Sequence, residues 1–137
     1  MADEHLNIKN IPAIIWGDKS PKVYLYIHGQ GGDKEEAEVF ASIANCYGWQ
    51  VLSIDLPEHG ERKEERDLFN PWTIVPELLT VMQYAKNRWT DIALFANSIG
   101  AWFSMLSFKN EKLEKSLFVS PVLDMKSLIQ KMMLWAN

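Results

Sequence analysis

Apolar runs of strand length alternate with amphipathic stretches of helix length along this chain. Residues 23–29, VYLYIHG, are apolar without interruption as far as His28 and then meet the breakers of GQGGD. A run of that kind, β-branched and aromatic, predicts a strand buried on both faces with a glycine-rich turn at its C-terminal end. Asp33, with Glu36 three residues on, predicts a capping box; Phe40, Ile43, Ala44 and Tyr47 then share one helical face before Gly48 ends the helix. The cycle repeats. Residues 49–57, WQVLSIDLP, predict a second buried strand, residues 91–98, DIALFANS, a third, and residues 115–121, KSLFVSP, a fourth.

The helices between them are less uniform. Asn70 and Pro71 predict a helix start, and Pro76 either kinks that helix or marks its true beginning. Val75, Leu78, Leu79, Met82, Ala85 and Trp89 keep its period. Residues 99–108, IGAWFSMLSF, form the helix behind the third strand. Residues 124–135 predict a last helix with Met125, Leu128, Ile129, Met132 and Trp135 on one side. Residues 11–17, IPAIIWG, predict an additional edge strand, where Pro12 is tolerated best. The charged run at 58–67, EHGERKEERD, reads as a solvated loop or short exposed helix. No repeat, low-complexity segment or linker interrupts the pattern, so residues 1–137 predict a single α/β domain: a mostly parallel sheet with helices on both faces.

Composition narrows the function classes. The formal charge is −4, and no cluster of Lys and Arg is present to displace counterions from phosphates, so no nucleic-acid partner is expected. The start, MADEHLNIKN, lacks the basic-then-apolar order of a signal peptide, and no apolar run reaches membrane-spanning length; no membrane association is expected. The single cysteine, Cys46, can form no internal disulfide, which points to a reducing cytoplasm.

The candidate chemistry sits at ANSIG, residues 96–100, where one serine occupies a strand-to-helix corner. Ala96 and Gly100 are small, and bulk at either position would collide with the neighbouring strand and helix, so the Ser98 hydroxyl stands clear. The helix starting at Ile99 turns its free N–H groups toward the same place, where the Ile99 amide can donate to a developing oxyanion. The plainer reading of Ser98 is a helix N-cap.

These residues resemble the nucleophile elbow G-x-S-x-G of the α/β-hydrolase family, with Ala96 in the first glycine's place, a departure some bacterial lipases of the family share. HGQGG, residues 28–32, is similar to the family's oxyanion loop. The resemblance implies that the Gln30 N–H is the second oxyanion donor, and that His28 and Gly29 support the turn. DLPEHGE, residues 55–61, resembles the segment D-x-P-G-H-G, with Glu58 where glycine is usual; there the histidine, His59, shapes a loop. The resemblance implies a truncated α/β-hydrolase core and a serine hydrolase acting on a small carboxylic ester or thioester, with no cofactor and no metal.

One part of that machinery is missing. The family's triad runs serine, acid, histidine, yet His5, His28 and His59 all precede Ser98. Acids after it are Glu111, Glu114 and Asp124, the last of which a helix cap explains as well. The expectation is a chain inactive on its own, the alternative being a non-catalytic interaction or oligomerising domain derived from a hydrolase. A homo-oligomer through an exposed sheet edge or through the last helix, with Met132, Met133, Leu134 and Trp135, is expected from the unpaired edge such a half-sheet leaves. A nucleotide site fits poorly: Lys34 stands where G-x-G-x-x-G needs its third glycine, and no Gly-Lys pair exists for a P-loop.

Overall fold

The computed structural model describes residues 3–119. Six strands form one sheet: β1 Asp3–Ile8, β2 Ile11–Trp16, β3 Lys22–Ile27, β4 Gln50–Ile54, β5 Asp91–Asn97 and β6 Ser116–Val119, in the order β1-β2-β4-β3-β5-β6. The first two strands run antiparallel to their neighbours, and β4, β3, β5 and β6 are mutually parallel. Among the described residues, three α-helices cover the sheet: α1 Glu38–Cys46, α2 Pro71–Arg88 and α3 Ile99–Phe108.

Alternation along the strands assigns side chains to the two faces. Val23, Leu25 and Ile27 of β3 join Leu52, Ile54, Leu94 and Ala96 in a core closed by Ile74, Leu78, Val81, Met82 and Ala85 of α2 and by Phe103 and Phe108 of α3. Tyr24, Tyr26, Val51, Ala93 and Phe95 point the other way, onto Phe40, Ala41, Ile43 and Ala44 of α1. Helices on both faces explain why the parallel strands read as continuous apolar runs.

Several local expectations need correction. Residues 11–16 are not an edge, because β1 pairs along their outer side from Asp3↔Trp16 to Ile8↔Ile11. Pro12 is accommodated because the β2–β4 ladder begins one residue later, at Ala13, while the Pro12 carbonyl accepts from the Asp55 amide at 3.0 Å. Pro76 does not start α2 but lies inside it; the N-cap is Asn70 and the first residue Pro71. The buried stripe of α2 is turned from the expected one: Ile74 and Val81 replace Val75 and Leu79, and Leu79 is exposed. Only half the capping box forms. Asp33 accepts from the Glu36 amide, and the Glu36 carboxylate instead accepts from the Tyr26 hydroxyl at 2.8 Å. Tyr47 lies beyond the helix and is exposed. Asp124 and the expected last helix lie outside the described residues.

The charged run is also more than a solvated face. Arg62 is buried, its guanidinium held bidentately by Glu77 at 2.7 Å and by Glu65 at 2.8 Å, with a further bond to the Asp55 carbonyl. Glu58, Glu61 and Glu65 are likewise tied to partners, and the exposed part is Glu61, Lys63, Glu64, Arg66 and Asp67.

Candidate active site

The strand order creates the site. The chain leaves β3 through α1 on one face and leaves the adjacent β5 through α3 on the other, so the turns at the C-terminal ends of β3 and β5 lie side by side at a switch point. Open α/β sheets place ligands at such a switch point. The turn after β3 carries His28, Gly29 and Gln30, and the turn after β5 carries Ser98.

Ser98 has φ 55° and ψ −124°. A side chain rarely adopts those angles, which glycine otherwise supplies at the first corner of a type II′ turn, and holding them costs about 1–3 kcal/mol. The surroundings enforce them. The Ser98 amide donates to the Val119 carbonyl of β6 at 2.7 Å, and its carbonyl accepts from the Ala101 amide at 3.0 Å. No side-chain cap is made by Ser98, so its hydroxyl is not consumed as an N-cap, and the residue is exposed.

Small neighbours are required on both sides. A Cβ on Gly100 would lie 2.5 Å from the His28 carbonyl oxygen and 2.8 Å from that of Ile27, so α3 packs directly against the end of β3. A Cβ on Gly29 would lie 2.9 Å from the Asn97 carbonyl oxygen and 3.0 Å from the Ser98 Cβ. Ala96, fully buried, sits between Ile27 and Phe118 in the sheet. The HG turn and the serine corner are therefore in contact through backbone. Among the described residues, the Gln30 and Ile99 amides have no acceptor.

Both nearby histidines are occupied. His28 is fully buried; its Nδ1–H donates to the Gly29 carbonyl at 2.7 Å and its Nε2 accepts from the Leu56 amide at 3.0 Å. Burial, with His59 adding to it and the Gly29 bond opposing it, pushes the His28 pKa down to about 4. His59 donates through Nδ1 to the Pro57 carbonyl at 2.9 Å and accepts through Nε2 from the Gly31 amide at 2.9 Å. Their rings lie 5.0 Å apart. His5 is on the exposed edge strand β1, four strand spacings or about 19 Å from β5. Glu111 and Glu114 are at the opposite end of β5: Glu111 pairs with Lys86, and the Glu114 amide donates to the Ile92 carbonyl.

Two residues beside the site were given no role in the sequence. Lys34, read there only as the missing third glycine, is buried and ion-paired with the fully buried Asp55 at 2.8 Å and with Glu61 at 2.6 Å. Burial disfavours the ammonium, but hydrogen bonds to Asp55, Glu61 and Glu35 outweigh it and hold the Lys34 pKa above the usual lysine range. The Lys34 and Glu61 amides also donate to Asp55, and Gly60, at φ 56°, leaves no room for a Cβ beside that carboxylate. Lys34 and Arg62 together fasten the 55–62 segment over the end of β4. Glu58, at φ 71°, shows why glycine suits its position, and its carboxylate compensates by accepting from the Leu68 and Phe69 amides.

No protein-family model matches this sequence, and no curated protein matches it. Solved structures do. A lipase in its open form superposes with a TM-score of 0.71 at 17% identity, over 85% of this chain and 44% of that one. The thioesterase domain from the curacin biosynthetic pathway superposes at 0.67 and 21% identity, over 98% and 52%. An epoxide hydrolase from Vigna radiata superposes at 0.69 and 13% identity, over 85% and 37%. The chain thus spans about half or less of the length of these structures. At such identities the likeness is one of fold, and that fold is the mostly parallel sheet of the α/β-hydrolases.

Proposed function

We propose that this chain, whose fold is that of the α/β-hydrolases, is the nucleophile-bearing part of a serine hydrolase acting on a carboxylic ester or thioester. The observation that carries the reading is the backbone of Ser98: strained angles at a strand-to-helix corner, with a hydroxyl that makes no hydrogen bond among the described residues, against the HG turn. In this reading the Ser98 Oγ adds to the substrate carbonyl carbon while a base takes its proton. The carbonyl electrons move onto oxygen, where the Gln30 and Ile99 amides stabilise the charge; collapse expels the alcohol or thiol and leaves an acyl-serine for water to cleave.

The base lies outside the described residues, since His28 and His59 have both ring nitrogens engaged and His5 is remote. In a serine protease, loss of the histidine alone costs on the order of 10⁶ in kcat, so the 137-residue chain by itself is essentially without turnover. The setting is a reducing cytoplasm, consistent with the free, exposed Cys46; among the described residues no helix is long and apolar enough to cross a membrane. The partner is a second copy meeting the outer edge of β6, where Phe118 is exposed, as Trp102, Met105 and Leu106 of α3 also are; a mass independent of concentration in light scattering would exclude it.

The competing reading, a non-catalytic interaction or oligomerising domain, draws on the same committed histidines. Ser98→Cys separates the two, because a thiol ionises far more readily than a hydroxyl and needs no partner base. Exposed to an acyl thioester, the thiol at position 98 is expected to be acylated about tenfold or more faster than Cys46 in the same molecule, given two oxyanion donors. Equal rates at the two positions would leave only the non-catalytic reading.

A further inference from the structure

The donor attributed to the HG turn is only as useful as the turn is fixed, and packing fixes its ends, at Gly29 and Gly32, but not its tip. Gly31 is exposed at φ 85°, and a Cβ built there would meet nothing within 4 Å. Within the turn the Gly32 amide donates to the Gly29 carbonyl at 3.1 Å. What restrains the Gly31 amide is a single bond across to another loop, donated to the Nε2 of His59 at 2.9 Å.

Resting on the hydrolase reading above, we infer that His59 is the positioning residue of the oxyanion loop: its imidazole accepts the Gly31 amide and thereby sets where the adjacent Gln30 N–H points. His59 is suited to this by its own anchoring. The Nδ1–H bond to the Pro57 carbonyl makes Nε2 the acceptor and fixes the ring plane. The ring lies between His28, 5.0 Å away, and Phe69, 4.8 Å away. Phe69 packs edge-on against Phe103 of α3, the helix that Ser98 begins. Behind the ring, the Lys34–Asp55 and Arg62–Glu77 pairs hold the segment that carries it. The nucleophile's helix and the oxyanion loop are thus joined through Phe69 and His59, and neither histidine nitrogen is spare for proton transfer.

The test has one arm that needs no activity. In the unmodified chain, an NMR coupling across the Gly31 N–H···Nε2 bond is expected, and its absence would overturn the inference. In His59→Phe, which keeps an aromatic ring between His28 and Phe69 but no acceptor, Gly31 amide exchange is expected to accelerate about tenfold or more while Gly32 is unchanged. His59→Gln, with an oxygen near the same place, restores protection. Unchanged Gly31 exchange in His59→Phe would overturn the inference.

The second arm adds these changes to Ser98→Cys and follows acylation by a thioester. His59→Phe is expected to lower the maximal acylation rate about 10- to 100-fold without moving the half-saturating concentration, the cost of a donor out of place, and His59→Gln to recover most of it. Faster Gly31 exchange with an unchanged acylation rate would refute the positioning role. If the parent Ser98→Cys chain reacts no faster at position 98 than at Cys46, the hydrolase reading falls instead, and the exchange arm still decides whether His59 holds the loop.

Discussion

Ser98 stores strain that its local sequence could only suggest. A serine between small residues at a strand-to-helix corner is legible as a candidate; φ 55° and ψ −124° are what distinguish this corner from an ordinary cap. Because glycine adopts those angles freely, Ser98→Gly is expected to stabilise the fold by roughly 1 kcal/mol or more relative to Ser98→Ala, measured by urea denaturation; equal stabilities would mean that the corner is unstrained. The motif residues around it, Gly29 and Gly100, were readable as small and turn-forming. Lys34 and Arg62 were not, because a lysine after glycines and an arginine in a charged run look solvated until tertiary contacts bring Asp55 and Glu77 to them. Charge partners distant in sequence leave no periodic trace.

Helices and strands were legible where one face decides their pattern and obscure where it does not. The parallel strands β3, β4 and β5 are buried, largely apolar runs because both faces are covered, whereas β6 is largely exposed. β1 was missed because it is a largely exposed edge strand, polar along most of its length, with only Ile8 buried. The buried stripe of α2 was misplaced because Ile74, Val75, Leu78 and Leu79 offer two overlapping stripes, and only packing against the sheet selects Ile74 and Leu78. At α3 the sheet overrides propensity. A glycine-to-alanine change inside a helix ordinarily stabilises by about 1 kcal/mol, but a methyl at position 100 would press on the His28 and Ile27 carbonyls. Gly100→Ala is therefore expected to destabilise by roughly 1–3 kcal/mol, and a gain in melting temperature would show that α3 does not sit against the end of β3.

For the molecule as a whole, the fold class followed from alternating strands and helices, whereas the strand order that sets the β3 and β5 turns side by side, and the burial of His28 there, had no signal in sequence. His28 links stability to pH. Its pKa is about 4 folded, against the model-peptide value of 6.5. Above the unfolded value neither state binds the proton, so His28 adds no pH dependence. As pH falls from about 6.5 toward 4 the unfolded chain takes up a proton that the native state refuses, and stability is lost, by roughly 3 kcal/mol once both titrations are complete. Unfolding free energies at pH 7 and pH 5, together with an imidazole resonance of His28 that stays neutral at pH 5, check this; a resonance titrating near 6.5 would contradict it. On the hydrolase reading, Ser98 is a formed nucleophile whose base the described residues do not supply. Intact-mass labelling of the 137-residue chain with a fluorophosphonate, with imidazole as a surrogate base and Ser98→Ala as control, tests it most directly. One adduct is expected, dependent on imidazole and absent from the variant. An adduct formed without imidazole would contradict the missing base, and no adduct in its presence, or one that persists in Ser98→Ala, would contradict the nucleophile.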